Sequence, residues 1–337
     1  MRYYELTCSD PQTGDIWKPN STDGKLTKSA GGSTFSSVLN GKNNPGALNI
    51  EFDLPNVVLA NPQGQAIIRV WGVGLQMLGQ AADLNGQNFV LRAGMGKGLP
   101  LANPAQAGVI VQGQIFQAFG NWQGTNQTLD LVCNPGALLP DQNVSFTWKA
   151  GKTLASALFA TLAQAFPTYK AKINISPSLV LASDEYGHYD TLADFADYIS
   201  QISKMVGGKA VGPDYPGVDF HIAGDTITVT DQTTPPKLVQ LAFQDLIGQP
   251  TWIGATAISF KTVLRADISV GDQVQFPQGV VLPYALTSAK AAIPNAPSRS
   301  KIAFQGKFVI NEVHYFANFR QPDADSWNTS FTAVSAS

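Results

Sequence analysis

The octapeptide SDEYGHYD, residues 183–190, gathers the side chains best suited to chemistry. Asp184, Glu185, His188 and Asp190 are the types that ligate a metal or act as an acid–base pair. The same residues stand just ahead of a helix start, where acidic groups favour the positive end of the helix dipole without any catalytic role. That second reading is preferred, so no catalytic and no metal-binding residue is assigned. His221 and His314 fall in strand-like runs and read as structural histidines. GVGLQMLG (72–79) and GMGKG (94–98) lack the glycine spacing of a dinucleotide or phosphate loop, so no cofactor is expected. No G-x-S-x-G elbow or H-E-x-x-H pair occurs. Two carboxylates on a β scaffold suffice for a glycosidase, so a β-rich carboxylate hydrolase stays open as a lesser alternative. Trp122 and Trp327 stand in corresponding polar loops. They suit either a glycan-binding tail or adhesin protein or two plugs at the ends of barrels.

The elements that must position these residues change along the chain. Residues 1–149 read as a first β-barrel: RYYELTC, LNIEFDL, AIIRVWGV, QNFVLRAG, GVIVQGQIFQAF, TLDLVC and NVSFTWKA are strand patterns separated by Asn, Gly and Pro clusters. Residues 150–234 read as α+β. KTLASALFATLAQAF places Leu154, Leu158, Leu162 and Phe166 at helical spacing, with Phe159 beside them and Thr153 as cap. TLADFADYISQISKMVGG places Leu192, Phe195, Ile199, Ile202 and Val206 on one stripe, starts on a Thr191/Asp194 capping box, and is expected to stop at Gly207-Gly208. TTPPK, 233–237, marks a junction. Residues 235–337 return to strands and form a second β-barrel with a long loop over 278–300. The fold class is mainly β with an α+β insert.

The two β regions echo each other. LNGQNFVLRAGMGKGLPLA corresponds to SVGDQVQFPQGVVLPYA, and VQGQIFQAFGNWQGTNQTLDL to FQGKFVINEVHYFANFRQPDADSWNTSFTAV. In this alignment Gly86 matches Gly271, Leu99-Pro100 matches Leu282-Pro283, Gln112-Gly113 matches Gln305-Gly306, and Thr128 matches Thr329. Duplication explains this, and so does reuse of strand, glycine turn and strand without ancestry. A duplicated barrel has a geometric consequence. Three chains would present six similar units around an axis and could meet a threefold object on one side and a sixfold one on the other.

Composition agrees with an assembly component. Of the 337 residues, 44% are hydrophobic but only 14% charged, well below the typical quarter. Interface cores are depleted of charge, so much of the polar surface is expected to face partners. The net charge of -2 and the lack of a basic stripe exclude a dedicated, sequence-specific nucleic-acid binder. No apolar run reaches the ~18 residues of a membrane span. Cys8 and Cys133 are too few for a disulfide framework and read as buried small hydrophobes. MRYYELTCSDPQ has neither the apolar core nor the cleavage site of a secretory signal.

GKTLASALFATLAQAFPTYKAKINISP, GHYDTLADFADYISQI, FQDLIGQPTW, KTVLRADISVGDQVQFP and FQGKFVINEVHYFANFRQPDADSWNTSFTA together resemble baseplate hub proteins of contractile-tailed bacteriophages, over about residues 150–337. The resemblance implies two similar tube-like antiparallel β-barrel domains flanking an α+β middle domain, an architecture shared with type VI secretion spike proteins. It implies a homotrimer in the virion baseplate, assembled in the host cytoplasm. The expected partners are the tail tube protein, the central spike protein and other baseplate proteins, with a lumen for DNA passage at ejection. It implies no enzymatic activity and carries over no catalytic residue. Because the 278–300 loop is long and weakly charged, Val281, Leu282, Pro283, Tyr284 and Leu286 are expected to touch a partner.

Overall fold

The computed structural model describes residues 1–55, 66–96, 103–135, 143–231, 237–277, 304 and 306–336. The first β region contains β1 (Arg2–Ser9) and five short strands, β2 (Ile16–Pro19), β3 (Leu26–Ser29), β4 (Phe35–Ser36), β5 (Val38–Leu39) and β6 (Lys42–Asn43). There follow β7 (Asn49–Pro55), β8 (Ala66–Trp71), the five-residue helix α1 (Leu75–Gly79), β9 (Asn88–Met95), β10 (Gly108–Gln123) and β11 (Asn126–Pro135). Strict alternation writes one core face: Tyr4, Leu6 and Cys8; Ile50, Phe52 and Leu54; Ile68 and Val70; Phe89, Leu91 and Ala93; Leu129, Leu131 and Cys133 are all buried. Burial pushes the Cys8 thiol up to about 12 and raises that of Cys133 as well, so neither is reactive.

The middle region holds β12 (Val144–Trp148), α2 (Leu154–Ala165), β13 (Lys170–Asn174), β14 (Glu185–Tyr189), α3 (Leu192–Ala210), β15 (Asp219–Ala223) and β16 (Thr226–Thr230). Both helices start as the sequence predicts. Thr153 accepts from the Ser156 amide, and Thr191 accepts from the Asp194 amide while its hydroxyl donates to the Asp194 carboxylate. Two details differ. Phe159 lies off the buried stripe of α2 and is exposed. Gly207 and Gly208 do not end α3, which runs on to Ala210. Gly207 serves close packing instead: a Cβ there would sit 2.1 Å from the Tyr215 ring, and the Tyr215 hydroxyl donates to buried Asp231. β12 pairs with β14, and its Val144, Phe146 and Trp148 join the helices in a second core distinct from the first.

His221 on β15 stands opposite Thr228 on β16. The imidazole Nδ1 and Thr228 Oγ1 are buried with no hydrogen-bond partner among the described residues. Burial lowers the imidazole below its usual 6.5, against a smaller opposing pull from Asp219. Protonation therefore favours the unfolded chain. The contribution to stability is intact above pH 6.5 and is lost as pH falls below it. His221→Gln is expected to flatten the decline in melting temperature below that pH, and an unchanged acid limb would rule this residue out as its source.

The last region contains β17 (Leu238–Gln240), β18 (Thr251–Trp252), β19 (Ala257–Val263), β20 (Gln273–Gln275), β21 (Lys307–Asn318) and β22 (Trp327–Ser335). β17 and β20 run parallel, unlike the antiparallel pairing expected, because the chain makes the long crossover through β18 and β19 between them. The first and last regions are also less separate than two flanking barrels. β7 bonds β8 along one edge and the His314–Asn318 half of β21 along the other. One sheet results, in the order β18-β19-β22-β21-β7-β8-β11-β10-β9-β1-β2-β3, and one core draws on both regions. The class is mainly β with few helices. The joint exists because β7 is apolar on one face yet has two free backbone edges, and a strand edge left open attracts another strand.

Candidate assembly interface

The echo in the sequence is an echo in hydrogen bonding. Gly86 has φ 74° and Gly271 φ 85°, values that favour glycine. The Gly86 amide donates to Ile115 O at 2.7 Å, and the Ile115 amide to Gln87 O at 2.8 Å. The Gly271 amide donates to Ile310 O at 2.8 Å, and the Ile310 amide to Asp272 O at 2.9 Å. Immediately afterwards each long strand bulges by one residue, at Phe116 and at Asn311. β8, β9, β10 and β11 thus correspond to β19, β20, β21 and β22.

The structural equivalence corrects the literal one. Ile115 matches Ile310, so Gly113, opposite Phe89, corresponds to Phe308, opposite Val274. The Gln-Gly match is therefore coincidental; Gln305 itself lies outside the described residues, as do Leu99-Pro100 and Leu282-Pro283. Thr128 faces Asn121, whereas Thr329 faces Tyr315, the counterpart of Gly120, so that match is one residue out of step. The tryptophans share a cross-strand position but on opposite strands: Trp122 faces Gln127, and Ala317 faces Trp327. Trp122 is 62% exposed, with its indole N–H donating to Gly124 O. Trp327 is buried, donates to Gly94 O at 3.0 Å, and packs on Phe52 and Phe319. They do not form an exposed aromatic pair for a sugar.

The acidic cluster does not converge either. Asp184 accepts from the Ala150 amide, Lys149 Nζ and the Tyr186 hydroxyl, which in that order hold its carboxyl down at about 2. Glu185 accepts from the Tyr198 hydroxyl, while His188 meets Ser145. Glu185 and His188 lie three apart on β14 and so point to opposite faces. Among the described residues no group of His, Cys, Asp and Glu could hold a metal, and no helix is long and apolar enough to cross a membrane. Val281, Leu282, Pro283, Tyr284 and Leu286 lie outside the described residues.

What the repeat does bring together is a joint and two unmatched edges. Within the chain, Leu54 of β7 faces Tyr315 of β21, and Phe52 faces Ala317. On the open face the joint is reinforced by His314 with Asp53 and Asn318 with Glu51. The counterparts of Tyr315 and Ala317 are Gly120 and Trp122 on β10. There the Ala118 amide is taken by the Asn85 side chain, but Gly120 and Trp122 have no strand beside them among the described residues. Phe116, Phe119 and Trp122 are 60, 42 and 62% exposed at this edge. β18 is the counterpart of β7, since Thr251 faces Ser259 as Asp53 faces Ile67. Its outer edge is likewise unpaired among the described residues.

No family model and no curated protein sequence matches this chain. Among solved structures it is similar to the 43 kDa tail protein of prophage MuSo2 from Shewanella oneidensis, at 7% identity, with 99% of this chain and 98% of that one covered and a TM-score of 0.48. It is also similar to a tail protein from Neisseria meningitidis MC58, at 11% identity, with 98% and 96% covered and a TM-score of 0.45. A third likeness is to the E. coli c3393 protein, a type VI secretion component described as similar to the T4 tail proteins gp27 and gp5, at 10% identity, with 86% and 73% covered and a TM-score of 0.45.

Proposed function

We propose that this chain is a structural subunit of a phage tail baseplate, a hub whose three copies close into a ring between a sixfold tail tube and a threefold central spike. The carrying observation is the repeated unit itself. Two units with the same glycine latch and the same bulge are joined edge to edge by β7, so each chain supplies a pair of equivalent positions around an axis. Three pairs make six, the count a tube demands of one face and a trimeric spike tolerates on the other. In this reading the chain divides into 1–149, 150–234 and 235–337, with β12 lent to the middle unit.

The face of the sheet turned away from the core suits a lumen. Across β7, β8, β11, β21, β22 and β19 it presents Glu51, Asp53, Asp130 and Glu312 against Arg69, Lys261 and Lys307, so acids outnumber bases by one. Phosphate capture needs the reverse balance. DNA would pass such a wall without being held, and no sequence-specific binding is expected. The role is non-enzymatic, in the virion, after assembly in the host cytoplasm. The 278–300 segment, with Val281, Leu282, Pro283, Tyr284 and Leu286, is assigned to contact with a neighbouring protein.

Native mass spectrometry and negative-stain microscopy of the chain, alone and with its spike, test this. The expected species has three times the 35.9 kDa chain mass, six outer lobes and an open centre. A chain lacking 278–300, measured alongside, is expected to assemble less while its sheet stays folded. A monomer in every sample overturns the hub reading.

A further inference from the structure

The joint inside each chain has a buried signature that its unmatched counterparts lack. At the joint Leu54 is 3%, Tyr315 6% and Ala317 1% exposed. At the equivalent free edges Trp252 is 40% and Trp122 62% exposed, with Ile253 at 58% beside them. Residues that the joint would cover are therefore apolar, aligned and open to solvent. Gly120, in the place of Tyr315, has no side chain to cover. A Cβ there would lie 2.7 Å from Leu78 O, so α1 packs beneath this strand and forces glycine. Trp252 keeps the orientation of Leu54: its ring turns to the core side and stacks on Phe304 at 5.7 Å.

We propose that β18 of one copy pairs antiparallel with the Ala118–Trp122 edge of β10 in a second copy of this chain. Trp252 then lies opposite Gly120, Thr251 opposite Asn121 and Pro250 opposite Trp122. The register is that of Leu54 with Tyr315, Asp53 with Phe316 and Phe52 with Ala317. Pro250 has no amide to give, so its carbonyl accepts from the Trp122 amide and the remaining bonds come from Trp252 with Gly120. The contact is head to tail, since the two edges differ, and head-to-tail contacts build rings when the rotation closes. Paired edges also remove the aggregation hazard that an exposed apolar strand presents. This inference rests on the ring reading and adds its partner surface and register.

Thr251 and Asn121 would form a non-hydrogen-bonded pair on the open face, where Cα atoms approach to about 4.5 Å, within disulfide range. The test is the full-length chain carrying Asn121→Cys and Thr251→Cys, oxidised with copper phenanthroline and run without reductant. The buried, high-pKa Cys8 and Cys133 do not compete. Covalent species of two and three chain masses are expected from the double variant and none from either single variant. A mixture of the two single variants should stop at two chains. A second variant, Trp122→Pro, removes an outward amide that has no backbone partner among the described residues, and is expected to leave a folded monomer. If the native mass shows the ring but no cross-link forms, or if Asn121→Cys alone dimerises, this joint is wrong while the hub reading stands. If every sample stays monomeric, both fall.

Discussion

Trp327→Ala is expected to lower the unfolding free energy by about 4 kcal/mol, near the middle of the range for truncating a buried tryptophan. The site gives little room for collapse. Trp327 opens β22 and packs on Phe52 of β7 and on Phe319, so it fills the seam where the two β regions share a core. Its indole N–H donates to Gly94 O. The backbone at Gly94 cannot shift to close the void, because Ala107 already stands 2.6 Å from where a Cβ would be. The Arg2 guanidinium lies over the ring at 5.7 Å and donates to Asn318 O, so the loss reaches the first strand as well. Trp327→Phe keeps most of the ring and forfeits the hydrogen bond, which is worth about 1 kcal/mol. Urea unfolding measures both. Scanning calorimetry adds a check: the transition of the shared core should move, while that of the second core around Phe146, Phe195 and Leu158 stays in place. A loss below about 1 kcal/mol for the alanine variant would contradict the seam packing.

Trp327 also shows where the sequence is readable. Alternation along Leu48, Ile50, Phe52 and Leu54 identifies a half-buried strand, because period two is a property of that strand alone. That both edges of β7 are occupied is a property of its neighbours, and nothing in NIEFDLP encodes it. The helix caps at Thr153 and Thr191 are local chemistry and read correctly; Gly207 looks like a stop only because Tyr215, which needs its bareness, arrives from outside the helix. In the repeat, Gly86 and Gly271 are legible since a positive φ demands the same residue twice. The bulges after Ile115 and Ile310 demand no particular residue, Phe116 in one and Asn311 in the other, so a match by identity slips past them. The edges left unpaired among the described residues are illegible for a related reason. Gly120, Trp122 and Trp252 stand out only by comparison with Tyr315, Ala317 and Leu54, and that comparison requires the structural register.

Arg265 places a buried charge at the same seam, and its replacement is the other large loss to expect. The residue is 2% exposed. Its Nε and Nη2 donate to the two oxygens of Asp267, both at 2.7 Å, and Nη1 lies 3.5 Å from Asp245 as an ion pair without hydrogen-bond geometry. Asp245 in turn accepts from the Gln106 side chain and the Ala242 amide, while the neighbouring Ala266 amide donates to Gln106 O. The network thus ties the turn ahead of β10 to the last region. Removing one partner of a buried pair leaves an uncompensated charge, at a cost of about 3–5 kcal/mol. Arg265→Met is expected to fall there by urea unfolding. Arg265→Lys recovers only part, because an ammonium cannot reproduce the two-pronged contact with Asp267. The double variant Arg265→Met with Asp245→Asn separates two causes. Asp267 is partly open to water and can be hydrated, whereas Asp245 is buried. If the stranded charge on Asp245 dominates, neutralising it returns much of the loss and the two substitutions are strongly non-additive. If the losses simply add, Arg265 acts by filling space, and the seam is held by packing around Trp327 rather than by its charges.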